Sequence, residues 1–415
     1  MNKECVKFEK VLSGKKIILG VCGGIAAYKS VELLRLLQKE GADVQVVMTA
    51  GATEFVTELT FRTLSKKRVY TNLFSDKDGG DIAHIKLAEE ADLVIIAPAT
   101  ANSIGKFAQG IADDALSTLI LAVKVPVIIC PSMNSGMYEN RAVQRNLDIL
   151  EEDGFRIVEP ESGKLACGVS GVGRLPALEY IVDRIKCSVT KKDFAGKKIL
   201  ITAGPTREPI DPVRYIGNRS SGKMGYAIAR AAEYRGADVV LVSGPVNIKP
   251  PINISLIKIE TAQDMAKIVY NELDSTDIII KVAAVADYRV EEVAEHKIKK
   301  NKTDDFILKL VKNPDILMEV GLRKSEQFIV GFAAETKELE KNACKKLLKK
   351  NLDIIVGNIV GCPESGFGTD TNIVTFFYKD GKKDVFPLME KKSVANVLLD
   401  QIKSKSALNI SADVV

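Results

Sequence analysis

The sequence contains no tryptophan and only two histidines, which excludes a histidine-built metal centre by count. No apolar run reaches bilayer-spanning length; the longest candidate, STLILAVKVPVIICP, is interrupted by Lys124 and Pro126. The first residues, MNKECVKFEK, lack the apolar core of a secretory signal. The seven cysteines (Cys5, Cys22, Cys130, Cys167, Cys187, Cys344 and Cys362) are scattered, odd in number and form no CxxC pair. That argues against a disulfide framework or a structural zinc site and for a reducing cytoplasm. Excess charge is also scarce: +5 over 415 residues is a weak bias that suits anionic small ligands. The lysine runs lack interleaved aromatics, so no nucleic-acid partner is expected, and without a spanning run no membrane partner is expected either. With 46% apolar and 27% charged residues, the chain reads as a soluble globular protein of two or three domains.

What the sequence does contain is one domain opening written twice. Residues 14–49 and 196–243 each run Gly-Lys-Lys, an apolar strand, a glycine-rich turn, a helix, then Gly-Ala-Asp-Val and a second apolar strand. This β-α-β order points backbone N–H groups at a phosphate. The first half alternates throughout, with strands expected near 16–21, 44–48, 92–97, 126–130 and 155–158. Helices are expected near 24–40, 53–64, 101–123 and 138–153, which makes a doubly wound parallel sheet. The second half resumes with strands near 198–203, 238–242, 254–259, 277–281, 328–333 and 352–356. It adds a lysine-rich arm with an extra strand over 284–311 and a terminal hairpin over 372–388 around Asp380-Gly381. The expected division is a leader over 1–13, a first domain over 14–186, a polar linker over 187–195, a second domain over 196–405 and a frayed tail over 406–415.

Neither glycine turn is GxGxxG, and neither second strand (ending at Met48-Thr49 and Val242-Ser243) carries the acid that holds a dinucleotide ribose. A single phosphate, as in FMN or a mononucleotide, needs only N–H groups and hydroxyls; an ordinary tight turn is the alternative. GNRSSGKM (217–224) approaches a P-loop, but Met224 replaces the magnesium-binding hydroxyl and the match starts well beyond the strand end.

His84 follows Gly79-Gly80-Asp81 in the first turn of DIAHIKLAEEA, with Asp81 a plausible N-cap; it is either a surface histidine or a neutral base favoured by the helix terminus. Pro98-Ala99-Thr100-Ala101-Asn102 and then PSMNSGMY each end an apolar strand, where open α/β sheets bind ligands. Asn134 there either caps a helix or holds a carboxylate. Cys167, in the glycine-rich ACGVSGVGRL with Arg174 nearby, is the candidate for a reactive thiol on a mobile lid. In the second half Asp287 ends IIIKVAAVAD, and Lys297, Lys299, Lys300 and Lys302 follow. Lys346 and Lys350 share one helix face.

GVCGGIAAYK, the His84 helix, APATAN, PSMNSGMY, ACGVSGVGRL, TAGPTREPIDPVRYIGNRSSGKMG, AAVADY, KIKK, KNPDI and GFAAET occur in this order and span nearly everything from 14 to 405. In these segments the sequence resembles the bifunctional phosphopantothenoylcysteine decarboxylase/phosphopantothenate–cysteine ligase family of coenzyme A biosynthesis. The resemblance implies a flavodoxin-like, FMN-binding first half that oxidises a cysteinyl thiol, releases CO2 and reduces the enethiolate. It implies a Rossmann-like second half that activates 4′-phosphopantothenate with CTP and magnesium, forms an acyl-cytidylate and transfers the acyl group to cysteine. CTP rather than ATP rests on the resemblance alone.

By position, His84 matches the active-site histidine, Asn134 the carboxylate-holding asparagine and Cys167 the proton donor of the flap. Gly23, Gly24, Thr49, Pro98, Thr100 and Asn102 fall at the FMN site. Asn218 matches the acyl-cytidylate asparagine and Lys297 a lysine needed for turnover. Asp287, Lys297, Asn313, Pro314, Asp315, Ile316, Phe332, Lys346 and Lys350 fall at the CTP site. Cys22 stands where many relatives carry a hydroxyl. Family members assemble as trimers through the first half and dimers through the second, up to dodecamers. Two other classes compete on the residues: a flavin-binding regulatory protein, against which the intact site residues argue, and a nicotinamide reductase, against which the missing ribose acids and the non-standard glycine spacing argue.

Overall fold

In the first half, apolar strands alternate with helices that show an apolar face on one side only. In the computed structural model, which describes residues 10–73, 83–164, 170–299, 307–335, 337–359, 366 and 368–406, these strands form one parallel sheet. Its strands are Lys16–Val21 (β1), Asp43–Met48 (β2), Leu93–Ala99 (β3), Val127–Pro131 (β4) and Arg156–Ile157 (β5), in the order β2-β1-β3-β4-β5. β3, LVIIAPA, is buried along its whole length because helices cover both sheet faces. The helices are Ala27–Lys39 (α1), Ala50–Thr53 (α2), Glu58–Ser65 (α3), Ala83–Glu90 (α4), Ala101–Ala108 (α5), Ala115–Ala122 (α6), Ser135–Tyr138 (α7), Arg141–Glu152 (α8) and Leu178–Val189 (α9). On α1 the buried positions Ala27, Ser30, Leu33, Leu34 and Leu37 follow helical spacing. The one hydroxyl among them, on Ser30, donates to the Ala97 carbonyl at 2.6 Å, so its burial leaves no orphan.

Three expected helices are broken in two. The 53–64 helix is interrupted before Thr57, which is extended and starts α3. The 101–123 helix stops at Ala108 and restarts behind Asp114, whose carboxylate and Ser117 form a reciprocal capping box. The 138–153 helix restarts at Asn140, whose Oδ1 accepts from Ala142 N–H at 2.9 Å. At Asp114 and Asn140 a short polar side chain caps the new helix and so competes with a continuous apolar pattern; Thr57 only turns extended, and its hydroxyl meets Thr60 Oγ1 at 3.2 Å. The expected lid over 166–175 is partly a strand: Glu161–Lys164 (β6) pairs antiparallel with Ser170–Arg174 (β7).

The second half builds an eight-stranded sheet from Lys198–Ala203 (β8), Asp238–Ser243 (β11), Ser255–Lys258 (β12), Ile278–Lys281 (β13), Phe328–Glu335 (β16), Ile354–Ile359 (β17), Val374–Tyr378 (β19) and Lys383–Val385 (β20). The order is β12-β11-β8-β13-β16-β17-β19-β20. The first six are parallel in the doubly wound Rossmann order, and the expected hairpin extends the sheet antiparallel. The arm is a separate antiparallel pair, Tyr288–Val290 (β14) with Leu310–Lys312 (β15). A hairpin not foreseen from the sequence, Arg207–Pro209 (β9) with Tyr215–Gly217 (β10), leaves β8. A further pair joins Thr371–Asn372 (β18) to Met389–Glu390 (β21). Helices Lys223–Tyr234 (α10), Ala262–Glu272 (α11), Ile316–Arg323 (α12), Leu339–Lys349 (α13) and Lys391–Lys405 (α14) cover the sheet.

The chain divides at Thr190/Lys191. The expected linker over 187–195 is not a free spacer. α9 runs through Val189, and Phe194 is wholly buried in the core of the second unit. The polar string hides one large apolar residue, and burial of such a side chain contributes about 1.5–3 kcal/mol. Likewise Leu12, placed in the leader by sequence, lies in the first unit's core. The tail from 407 lies outside the described residues. Among the described residues, no helix is long and apolar enough to cross a membrane.

Candidate active sites

In the first unit, the turns after β1, β2, β3 and β4 converge. Gly23-Gly24, Thr49–Gly51, Thr100–Ser103 and Ser132–Asn134 line a cavity of about 1030 Å³. It opens at the switch between β1 and β3, the crevice at which a 2-1-3-4-5 sheet holds a ligand. Two backbone bonds set the turns: Cys22 N–H donates to Pro98 O at 3.2 Å and Thr49 N–H to Val21 O at 3.0 Å. The N-terminus of α5, capped by Thr100, faces the same space and offers N–H donors to an anion. The cradle fits a flat, phosphate-bearing group because nothing projects from Gly23. A Cβ there would stand 2.5 Å from the Gly51 carbonyl carbon.

Of the residues expected at this site, Gly23, Gly24, Thr49, Thr100, Asn102 and Asn134 line the cavity, whereas Pro98 contributes from within β3 through its backbone. Asn134 caps α7 through Oδ1, which accepts from Gly136 N–H at 2.9 Å, and also faces the cavity; the two roles coexist. His84 lies in the first turn of α4, half-buried, outside the lining; Asp81 lies outside the described residues. Cys167 also lies outside them, although its flanking strand is tied to the site by Met133 N–H donating to Gly173 O at 3.0 Å. Cys22 is wholly buried and does not line the cavity; burial pushes its thiol up to about 11, against a Ser103 hydrogen bond that lowers it. It therefore supports the turn from below. Lys29, Lys106 and Arg174 also line the cavity; of these the sequence points only to Arg174, as an anion partner near Cys167. Burial and then the Arg174 charge lower the Lys29 amine from its ordinary value.

In the second unit, the segment after β13 and the residues between β15 and α12 enclose a cavity of about 340 Å³. Asp287, Asn313, Pro314, Asp315, Ile316 and Lys350 all line it. Asn313 builds the wall: its Nδ2 donates to Ala286 O at 2.8 Å and its N–H to Asp287 O at 2.9 Å. Asp315 caps α12 and pairs with Lys350 at 2.8 Å; burial acts to raise its carboxyl, but Lys350 outweighs that and holds it below the usual range. Four expected residues are not in the lining. Lys346 pairs with Glu335 at 2.7 Å, Phe332 packs half-buried against the core, Lys297 is exposed, and Asn218 donates from Nδ2 to Ala284 O at 3.0 Å. Lys223 of the near-P-loop turns away to Asp370 at 2.7 Å and Gly368 O at 2.8 Å.

The sequence reading missed Lys281, the last residue of β13, on the floor of this cavity. Burial and then the neighbouring Lys350 charge pull its amine down to about 8. The available signal was a lysine closing the apolar run III at a strand's carboxyl end. The folded-state value lies below that of an unfolded lysine, so the unfolded chain binds more protons above about pH 8. The contribution of Lys281 to stability therefore becomes more favourable as pH rises from about 8 to about 10. Among the described residues, no group of three or more His, Cys, Asp or Glu side chains stands ready to hold a metal.

Fold and sites together define a two-module α/β enzyme with one ligand crevice in each module. Residues 7–190 match the family described as Flavoprotein, and residues 194–405 the family described as DNA/pantothenate metabolism flavoprotein C-terminal domain. The coenzyme A biosynthesis bifunctional protein CoaBC of Bacillus subtilis (strain 168) is 48% identical over 95% of this chain and 98% of its own. Its namesake from Escherichia coli (strain K12) is 46% identical over 95% and 98%. Among solved structures, the C-terminal domain of such a protein covers 52% of this chain and 97% of its own at 46% identity, with TM-score 0.45. The FMN-dependent cysteine decarboxylase SpaF covers 43% and 97% at 34% identity, with TM-score 0.38. The chain belongs to the CoaBC family of bifunctional decarboxylase–ligase enzymes of coenzyme A biosynthesis.

Proposed function

We propose that the second unit joins cysteine to 4′-phosphopantothenate at the expense of CTP, and that the first unit decarboxylates the product with FMN to give 4′-phosphopantetheine. What supports this reading is that each crevice is lined by motif residues of the corresponding half: Gly23, Gly24, Thr100 and Asn134 in one, Asp287 and Asn313–Ile316 in the other.

Bound over Gly23-Gly24, FMN would supply a reversible two-electron couple, so that release of CO2 is redox-neutral overall. Around it, Asn134 would orient the substrate carboxylate, Cys167 would deliver the final proton, His84 would complete the site, and Lys29 with Arg174 would attract the anionic substrate. In the second unit, Asp287 would accept from the ribose hydroxyls, and Lys281 with Lys350 would offset anionic charge. Lys297 and Asn218 would act on the acyl-cytidylate. Magnesium would accompany the triphosphate, whose oxygens are its principal ligands. Trimers through the first unit, dimers through the second and a dodecamer combining them are the expected assemblies.

A coupled assay supplying CTP or ATP side by side, reading pyrophosphate and CO2, tests the whole scheme. Pyrophosphate from CTP only, followed by CO2 dependent on flavin, is expected; equal release from ATP sinks the cytidine assignment, and no release sinks the ligase assignment. Cys167→Ser should stall product formation after thiol oxidation, and unaltered product removes its proton-donor role.

Lys281 adds a pH signature. Nucleotide affinity should fall between about pH 7 and 9 as the amine titrates through about 8. Lys281→Met should weaken binding roughly 10- to 100-fold at neutral pH, the value of one charge-assisted hydrogen bond, and flatten the pH profile. A pH-independent parent in a fluorescent-nucleotide titration removes Lys281 from the site.

A further inference from the structure

The unforeseen β9–β10 hairpin carries a carboxylate with more partners than a turn requires. Asp211 is buried, and its Oδ1 accepts from Val213 N–H at 2.8 Å and Arg214 N–H at 2.9 Å. Those two bonds make an ordinary Asx turn. Its Oδ2 accepts from Arg214 Nε at 3.0 Å and Nη2 at 2.5 Å, and also from Ile298 N–H at 3.2 Å, far along the chain. Arg214 Nη2 in turn donates to Ile298 O at 3.1 Å. Both polar backbone groups of Ile298 are thus held by one ion pair on the hairpin. A third contact, Ala294 N–H to Ile210 O at 3.0 Å, fixes the same segment further back.

Lys297 lies between these two anchorage points, next to Ile298, with its own side chain exposed. The other end of the hairpin leads straight into Asn218, whose side chain donates to Ala284 O. The base of the hairpin is fixed to the same stretch: Ala286 N–H donates to Thr206 Oγ1 at 3.0 Å. The segment from Ala284 to Ile298 therefore leaves β13, forms the cavity wall at Asp287, and is returned to the hairpin at Ala294 and Ile298.

We propose that Asp211, acting with Arg214, is a positioning residue of the ligase reaction: the pair clamps the Ile298 backbone and so presents Lys297 in fixed relation to Asn218. The inference rests on Lys297 serving the ligase step. Asp211 itself touches no substrate in this scheme. Its carboxyl is held well below the usual carboxylate range, chiefly by the Arg214 hydrogen bond, so the clamp stays charged throughout the neutral range.

The test uses the full chain and three variants. Asp211→Asn keeps the side-chain size but loses the charge that holds Arg214. It should lower ligase kcat by about a hundredfold, the scale of a misplaced catalytic group, with KM for cysteine and 4′-phosphopantothenate little changed. Trypsin should cut the Lys297–Ile298 bond about tenfold faster in this variant while cleavage elsewhere is unchanged. Unchanged cleavage at that bond overturns the clamp, and so does faster cleavage with kcat within about twofold of the parent. Should Asp211→Asn not fold, Ile298→Pro removes the N–H that Asp211 accepts without touching the hairpin, and must reproduce the loss of kcat; full turnover there overturns the proposal. Lys297→Gln separates the two readings. Full turnover in that variant sinks the role of Lys297, and with it the reaction that the clamp serves. A dead Lys297→Gln beside a fully active Asp211→Asn sinks the clamp alone.

Discussion

Gly23→Ala is expected to purify without bound flavin. A Cβ at Gly23 would lie 2.5 Å from the carbonyl carbon, 2.7 Å from the oxygen and 2.8 Å from the Cα of Gly51. All three are backbone atoms of α2, so no side chain can swing aside. The turn after β1 and the turn after β2 must separate, and the cavity is lined by both. Overpacking of this kind costs about 1–3 kcal/mol, which corresponds to roughly a 5- to 150-fold loss of FMN affinity if it falls on the bound state. The check is visible absorbance of the purified protein together with titration of added FMN by fluorescence quenching. Pyrophosphate release by the second unit serves as the internal control and should be unchanged. A variant with parental flavin content would show that the Gly23 turn is not the cradle.

Arg235→Ala is expected to destabilise the second unit by about 3–5 kcal/mol, the cost of breaking a buried ion pair from one side. Arg235 and Asp193 are 6% and 9% exposed and face each other in a two-pronged contact, Nε–Oδ1 at 2.8 Å and Nη2–Oδ2 at 2.7 Å. The guanidinium also reaches Asp400 at 2.7 Å and lies 4.8 Å from the centroid of the Phe194 ring, while Lys403 pairs with Asp193 at 2.9 Å. One arginine on α10's C-terminal end thus joins the turn at the entry to the unit with its last helix, α14. Removing it leaves the Asp193 carboxylate in a poor solvent with Lys403 alone. Denaturant unfolding followed by ligase activity reads the loss. A midpoint shift worth less than about 1 kcal/mol would mean the network is solvated after all. Pairing Arg235→Met with Asp193→Leu should recover much of the stability, because the uncompensated charge is then gone. For Asp193, burial acts to raise the carboxyl, but Arg235 and Lys403 outweigh it and hold it below the usual range. Its contribution is therefore full above about pH 4 and is lost on further acidification.

Much of the architecture was legible because it depends on short-range pattern. The duplicated Gly-Lys-Lys openings, the apolar strands and the terminal hairpin around Asp380-Gly381 all follow from side-chain periodicity and turn chemistry. The helix breaks at Asp114 and Asn140 were also written in the sequence, as capping residues, but were overridden by a continuous apolar pattern; the break at Thr57, which makes no side-chain cap, carried no such signal. Phe194 and Leu12 were lost for the opposite reason: a single apolar residue in a polar string carries no period. For the sites, motif order located Gly23, Gly24, Thr100, Asn134, Asp287 and Asn313–Ile316, which the fold gathers into two cavities. It gave no sign that Lys346 is tied to Glu335 or that Lys223 of the near-P-loop turns to Asp370.

The sequence by itself determined that this protein has two modules of one architecture, each with a phosphate-ready turn, because strand, turn and helix propensities act within a few residues. Only the tertiary structure decided which side chains share a cavity and what each is paired with. Lys281 acquires its low proton affinity from burial and from Lys350, and the Asp211–Arg214 pair acquires its clamp from Ile298. Those neighbours lie tens of residues away, and the electrostatic and hydrogen-bonding terms they contribute exist only once the parallel sheet has brought the carboxyl ends of its strands together.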